Sequence, residues 1–208
     1  MKALVFGGAF NPPTKAHIDL ACSAMEQTGF KKVIFVPSKM RYITEDQQKD
    51  YAFDDHERLA MLRRIAEGKA WMEVSDYELQ CAEQPRTYRT LCHLREEGYE
   101  CRLLFGSDKL IELQTGWRHV EEIASEFGIV CMERYGDDCR RIIAEDPYLH
   151  SLSEHITVIE TPEEYHGVSS TEIRREYMRM CRSFAKLQNM VPEELEGLKD
   201  YIQPMEDL

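Results

Sequence analysis

Short apolar runs alternate with helical stretches along most of this chain, and this alternation restricts its fold more than any other feature. The runs are rich in β-branched and aromatic residues and lie at 3–6, 33–37, 101–106, 128–132 and 155–160. Stretches with apolar residues three and four positions apart lie at about 16–28, 55–67, 87–97, 107–125 and 137–145. Strands that alternate with helices favour a mostly parallel sheet, so the sequence predicts an α/β fold.

Three further segments complete the predicted organisation. Residues 72–79 are predicted to form an additional strand, placed at a sheet edge because of its acidic residues. Residues 41–53 are polar and lack periodicity, which indicates a surface loop beside the binding site. From about 169 to 202 we predict two helices, one beginning in SSTEIRR and one at VPEEL, where Pro192 can occupy the first turn.

Composition limits the number of domains and the classes of partner. A chain of 208 residues with 43% hydrophobic content fits one domain spanning 1–208. The net charge of −12 opposes binding to nucleic-acid phosphates or anionic lipid. The sequence contains neither a membrane-spanning apolar run nor a signal-peptide core, so we expect a soluble cytoplasmic protein. Its seven cysteines are scattered without zinc-site spacing, and the sequence leaves a homo-oligomer open.

The first strand runs into GGAFNPPTKAH, and a helix begins shortly after it. Gly7 and Gly8 allow a tight turn and a close approach of the backbone, which is a phosphate-binding geometry. The stretch matches neither GxGxxG nor GxxxxGK[ST], which disfavours hydride-transfer enzymes and P-loop ATPases. His17 is the candidate functional residue of this stretch. The alternative is a surface or capping residue, which is the more common role of a single histidine at a helix start.

A second motif, GVSSTEIRREY, lies near the C-terminus. Ser169 and Glu172 form a capping-box pattern, which places a helix start at 169–171. Arg174 and Arg175 follow in the first two turns, where cations oppose the helix dipole unless an anion docks there. The alternative is that nearby glutamates pair with these arginines on a solvated face.

Several collinear stretches resemble one known family, the nicotinate-nucleotide adenylyltransferases, which belong to the nucleotidyltransferases with an (H/T)xxH motif. The stretches are GGAFNPPTKAH, HERLAML, MEVSDYEL, TYRTL, LFGSDKLIEL, WRHVEEI, VSSTEIR and MVPEELEGLKDYI. The resemblance implies a Rossmann-like three-layer α/β/α sandwich with C-terminal helices. It also implies that ATP and a pyridine mononucleotide are the substrates, that Mg2+ is bound through the ATP phosphates, and that pyrophosphate is released.

The family pattern, transferred position by position, implies roles for individual residues. Catalytic roles fall to Thr14, His17 and Arg174. The ATP-binding residues it implies are Gly7, Gly8, Phe10, Gly106, Asp108, Ser169, Ser170, Thr171 and Arg174. The mononucleotide-binding residues it implies are Asn11, Lys39, Thr87 and Trp117, where the indole would stack on the pyridine ring; ordinary core packing is the alternative for this tryptophan. No residue is assigned as a metal ligand.

Some positions depart from the bacterial family pattern. Asn11, Thr14 and Ala16 resemble the FNPxTxxH form of nicotinamide-mononucleotide enzymes, and Gly116 and Arg86 differ near the expected pyridine pocket. The preference for the acid or the amide base therefore stays open. Three rival functions are adenylyl or cytidylyl transfer to another phosphorylated small molecule, nucleotide binding without catalysis, and redox chemistry with a bound dinucleotide. The absence of GxGxxG disfavours the last of these.

Overall fold

The computed structural model describes residues 1–43, 53–133, 137–162 and 190–195. Six strands form one sheet in the order β3-β2-β1-β4-β5-β6, and every neighbouring pair is parallel. The strands are β1 Lys2–Gly8, β2 Lys32–Pro37, β3 Met72–Val74, β4 Glu100–Gly106, β5 Ile129–Met132 and β6 Ile156–Ile159. The five strands predicted from apolar runs are confirmed, and so is the α/β class with a parallel sheet.

Helices cover both faces of the sheet. They are α1 Lys15–Thr28, α2 Asp55–Ala66, α3 Tyr77–Gln80, α4 Thr87–Glu96, α5 Val120–Glu122, α6 Cys139–Glu145 and α7 Pro147–Ser151. Leu4 and Phe6 of β1 pack on one face with residues of α1, α2 and the segment 190–195. Ala3 and Val5 pack on the other face with residues of α4, α6 and α7. The predicted three-layer sandwich is therefore confirmed.

The strand predicted at 72–79 is correct only over its first three residues. Met72–Val74 pairs with β2 at the sheet edge, as expected, and Ser75 N–H donates the last bond to Phe35 O at 3.0 Å. The chain then turns inward and forms the short helix α3. In this helix the carboxylate of Glu78 is buried and accepts a hydrogen bond from Thr90.

The single helix predicted over 107–125 is wrong. Two 3-10 turns, Ser107–Lys109 and Ile111–Gln114, come first, and α5 continues into a π-helical turn at Ile123–Phe127. The break lies at 115–119, where His119 adopts the left-handed conformation with φ of 61°. Apolar spacing does not report such a break, because Leu113 and Val120 on either side of it are both buried.

Other predictions fall wholly or partly outside the described residues. Only 41–43 and 53 of the predicted loop are described, and Glu193–Leu195 forms a 3-10 turn directly after Pro192. The remainder of the two predicted C-terminal helices lies outside the described residues, so the organisation of all 208 residues as one domain stays a prediction. No helix in the described ranges is long and apolar enough to cross a membrane.

Candidate active site

The candidate site lies where the strand order reverses. From β1 the chain leads to β2 on one side, whereas β4 pairs with the other side of β1. Helices and loops diverge at the carboxyl ends of such a pair, and ligands of open α/β sheets bind in the crevice there. A cavity of about 1070 Å³ opens at this position, and Gly7, Gly8 and Phe105 form part of its wall.

Thr14 and His17 form a reciprocal pair at the start of α1. The His17 N–H donates to Thr14 Oγ1 at 3.2 Å, and the Thr14 N–H donates to His17 Nδ1 at 3.0 Å. Because a backbone N–H can only donate, Nδ1 is the acceptor, and the neutral ring carries its proton on Nε2. The ring also packs edge-on against Phe10, with 5.2 Å between centroids. These contacts fix the direction of the Nε2–H donor.

The loop after β1 has an unusual backbone that other parts of the chain hold in place. Phe10 has a φ of 42°, and the Asn11–Pro12 peptide is cis. The side chain of Asn11 is buried, and its Oδ1 accepts from Phe53 N–H at 2.9 Å. Asn11 thus fastens this loop to the segment before α2, and it does not line the described cavity wall.

Arg58 also holds this loop in place, and its side chain is fully buried. Nη1 donates to Ala9 O at 2.8 Å, Nε to Phe53 O at 3.0 Å, and Nη2 to Asp55 Oδ1 at 2.5 Å. Burial lowers the pKa of Arg58, while Asp55 opposes that shift. Arg58 was not predicted as a site residue. Its position on the buried face of α2, with the apolar residues 61, 62 and 65, could have indicated a buried arginine.

Three of the residues predicted to bind the mononucleotide meet in the cavity wall. Lys39 lies after β2, Thr87 is the first residue of α4, and Trp117 lies within the break at 115–119. Trp117 is half-buried and packs against Phe105 at 5.9 Å between ring centroids. Lys39 Nζ donates to Leu79 O at 2.6 Å. The structure thus brings together residues that are far apart in sequence.

The cavity wall carries more positive than negative charge. Six lining side chains in the described part of the chain are lysine or arginine, and three are glutamate. The cations are Lys39, Arg41, Arg86, Arg89, Lys109 and Arg118, and the anions are Glu78, Glu83 and Glu112. The whole chain carries a net charge of −12, so this wall opposes the sign of the molecule and suits an anionic ligand.

Glu78 is the buried anion of this wall, with only 6% of its surface exposed. Its carboxylate accepts from Thr90 Oγ1 at 2.7 Å and from Gln84 Nε2 at 2.5 Å. Burial raises the pKa of Glu78, and the two hydrogen bonds oppose the rise. The sequence analysis assigned this position to a strand and missed it as a site residue, because its partners become neighbours only through the fold.

The structure describes only some of the predicted ATP-binding residues, and several of those do not line the cavity. Gly106 ends β4, and the half-exposed Asp108 lies in the following turn. Neither of them lines the described cavity wall, nor do Thr14 and His17, although Phe105 and Lys109 do. The ring of Phe10 is buried, so contact with a nucleotide would have to come from its backbone. Ser169, Ser170, Thr171 and Arg174 lie outside the described residues.

Comparison with known proteins places this site within a family. The sequence signature of the cytidylyltransferase-like family matches residues 5–176. A protein of Endomicrobium trichonymphae, named "Probable nicotinate-nucleotide adenylyltransferase", is 31% identical over 84% of this chain and 84% of its own length. A protein of the same name from Clostridium tetani is 26% identical over 92% of both chains.

The fold also matches a solved structure, the Plasmodium falciparum nicotinic acid mononucleotide adenylyltransferase complexed with NaAD. The TM-score is 0.74 over 96% of this chain and 95% of that chain, at 19% sequence identity. At this identity the likeness concerns the fold alone. The family match over residues 5–176 and the relative that is 31% identical show that the chain belongs to the cytidylyltransferase-like family and, within it, to the nicotinate-nucleotide adenylyltransferases.

Proposed function

We propose that the protein transfers AMP from ATP to nicotinate mononucleotide, giving deamido-NAD and pyrophosphate in NAD biosynthesis. In this reaction the 5′-phosphate oxygen of the mononucleotide attacks the α-phosphorus of ATP, and the bond to the β-phosphate oxygen breaks. The observation that carries the proposal is a cationic cavity with Trp117 in its wall, at the carboxyl ends of β1 and β4. Two anions must meet there, and positive charge lowers the cost of bringing them together.

We assign the triphosphate to the side of the site that holds Thr14 and His17. The Nε2–H of His17 would donate to phosphate oxygens as negative charge builds on the leaving pyrophosphate. Gly7 and Gly8 would allow close backbone approach, and Gly106 and Asp108 would contact the adenosine ribose. From the family pattern, Ser169, Ser170, Thr171 and Arg174 would hold the β- and γ-phosphates. No covalent intermediate is needed, because alignment and charge neutralisation suffice.

We assign the mononucleotide to the described cavity, with Trp117 stacking on the pyridine ring and Lys39 and Thr87 beside it. We expect the acid base to be preferred, because nicotinate carries a carboxylate that nicotinamide lacks. Two features support this preference. The wall carries an excess of cations. The N-terminus of α4, at which none of the described side chains caps the backbone, also favours a negative charge. Asn11 would act by holding the loop between the two substrates.

Mg2+ would enter with ATP. The described residues contain no cluster of three histidine, cysteine or acidic side chains able to hold a metal ion. Thr14, His17 and the cavity cations are hydrogen-bond donors suited to phosphate oxygens, which fits a metal carried by the phosphates and water. When bound, Mg2+ neutralises triphosphate charge. Given substrates of this kind, we also propose that the protein works in the cytoplasm.

The test is pyrophosphate release with ATP and Mg2+, comparing nicotinate mononucleotide with nicotinamide mononucleotide. We expect kcat/KM to be at least about tenfold higher for the acid, the discrimination that one charged contact provides. Comparable rates would contradict the acid preference and agree with the FNPxTxxH form at Asn11 and Thr14. Silence with both acceptors would overturn the proposed reaction and favour another phosphorylated acceptor.

A further inference from the structure

A buried carboxylate that has no basic partner among the described residues forms part of the cavity wall. Glu78 is 6% exposed, and among the described residues its hydrogen-bond partners are the neutral groups of Thr90 and Gln84. Burying a carboxylate costs free energy unless hydrogen bonds replace its water, and an apolar residue at this position would avoid the cost. The residue is therefore better explained by what its two oxygens hold in place than by stability.

The two oxygens of Glu78 connect two segments of the cavity wall. Thr90 lies in α4, one turn after Thr87, and donates to Oε1. Gln84 donates from Nε2 to Oε2 and uses its own Oε1 to accept from Lys39 N–H at 2.8 Å. A continuous series of hydrogen bonds thus runs from α4 through Glu78 and Gln84 to the end of β2.

The orientation of Gln84 depends on the acceptor that Glu78 presents to it. An acceptor must face Gln84 Nε2, because only then does the amide oxygen point to Lys39 N–H. Glu78 supplies that acceptor with Oε2 and still has Oε1 for Thr90. All four residues of the series line the cavity. They therefore fix the distance between the walls that carry Lys39 and Thr87.

We propose that Glu78 is a positioning residue for the acceptor: through Gln84 and Thr90 it holds the Lys39 and Thr87 walls at the separation that binds the mononucleotide. The proposal rests on the function proposed above, because it takes the described cavity as the mononucleotide site. It predicts a selective effect. Loss of the acceptor oxygens of Glu78 weakens mononucleotide binding and leaves ATP binding unchanged, since Thr14, His17 and the β1 loop have no part in the series.

The experiment compares Glu78→Ala and Gln84→Leu with the unmodified protein. Each substitution breaks the connection to Lys39, so we expect KM and the calorimetric Kd for nicotinate mononucleotide to rise about tenfold, and KM for ATP to change less than about twofold. Glu78→Gln should retain most of the affinity, because its amide oxygen can accept from Gln84 and its NH₂ can donate to Thr90 Oγ1. Glu96→Ala, an exposed truncation on α4, is the matched control.

Circular dichroism and thermal melting identify any variant that fails to fold. Gln84 lies in a partly exposed loop, so Gln84→Leu tests the proposal even if Glu78→Ala is unstable. Equal losses for ATP and mononucleotide in a folded variant, or unchanged mononucleotide affinity, would overturn the positioning role. Failure of the unmodified protein to turn over nicotinate mononucleotide would instead refute the proposed function, and its Kd would then decide whether the cavity binds that ligand.

Discussion

At the scale of single residues, His17 shows how a helix cap also fixes the orientation of an imidazole ring. The Thr14 N–H occupies Nδ1 at 3.0 Å, so the proton of the neutral ring must lie on Nε2. Phe10 and Phe6 pack against the ring, with centroids 5.2 Å and 6.1 Å away. The same residue thus completes the N-terminus of α1 and presents one oriented donor.

His17→Ala removes this donor, and we expect kcat to fall about a hundredfold or more, the size of effect seen when a transition-state donor is lost. Steady-state kinetics with ATP and nicotinate mononucleotide measure it, with circular dichroism to establish that the variant folds. Thr14→Ser keeps the backbone donor and a hydroxyl cap, and should retain most of the activity. A His17→Ala variant with kcat within about threefold of the unmodified protein would exclude the proposed role.

The same scale shows what the sequence could reveal about the site. Thr87 and Trp117 were predicted from matched motifs and Lys39 from its place after the second strand, and they do meet in one cavity. Arg58 and Glu78 were not predicted as site residues, because their roles come from tertiary contacts. Arg58 Nη1 donates to Ala9 O, 49 positions away, and Glu78 accepts hydrogen bonds from Gln84 and Thr90. One sequence does not encode such contacts in local spacing.

At the scale of elements, contacts with α2 and the segment before it hold the β1–α1 loop in place. Phe10 lies in a region of φ that favours glycine, with φ of 42°. Arg58 holds both the loop and the segment before α2, through Ala9 O and Phe53 O, and Asn11 adds a bond to Phe53 N–H. The position of the loop that follows Gly7 and Gly8 therefore depends on a helix about fifty residues later in the chain.

Arg58→Met should lower the free energy of unfolding by about 3 kcal/mol, because it leaves the buried Phe53 O and the partly buried Ala9 O without their donor. Urea denaturation measures this change. Arg63→Met is the matched control on the same helix: Arg63 is 57% exposed and pairs with Asp76, so its loss should cost less than about 1 kcal/mol. Similar losses for both variants would mean that burial of Arg58 contributes little.

Sequence periodicity was most reliable for elements packed on one continuous face and failed where the backbone changes direction. The helices α1, α2 and α4 were predicted to within about two residues, since each presents a regular apolar stripe. The segment 107–125 has similar spacing but breaks near Gly116 and His119. The break places Trp117 in the cavity wall, so the prediction failed where the element serves the site.

At the scale of the whole molecule, two electric fields of opposite sign act on an approaching anion. The chain carries a net charge of −12, whereas the described cavity wall carries six lysines or arginines and three glutamates. Distant charges are screened within about 10 Å at moderate salt, while charges inside a low-dielectric cleft act at short range. The local field should therefore control binding of the mononucleotide.

The charge that dominates binding determines the sign of the salt dependence. If the cavity dominates, kcat/KM for nicotinate mononucleotide at saturating ATP and fixed free Mg2+ should fall about two- to fivefold between roughly 20 and 200 mM NaCl. Arg118→Gln should flatten this slope, because Arg118 lines the cavity, whereas Arg140→Gln on α6 should leave it unchanged. If the net charge of the molecule dominates instead, screening removes repulsion and the rate rises with salt. A rise in kcat/KM with salt would show that the cavity cations do not control binding of the mononucleotide. The acid preference would then have to come from hydrogen bonds at the N-terminus of α4 rather than from charge.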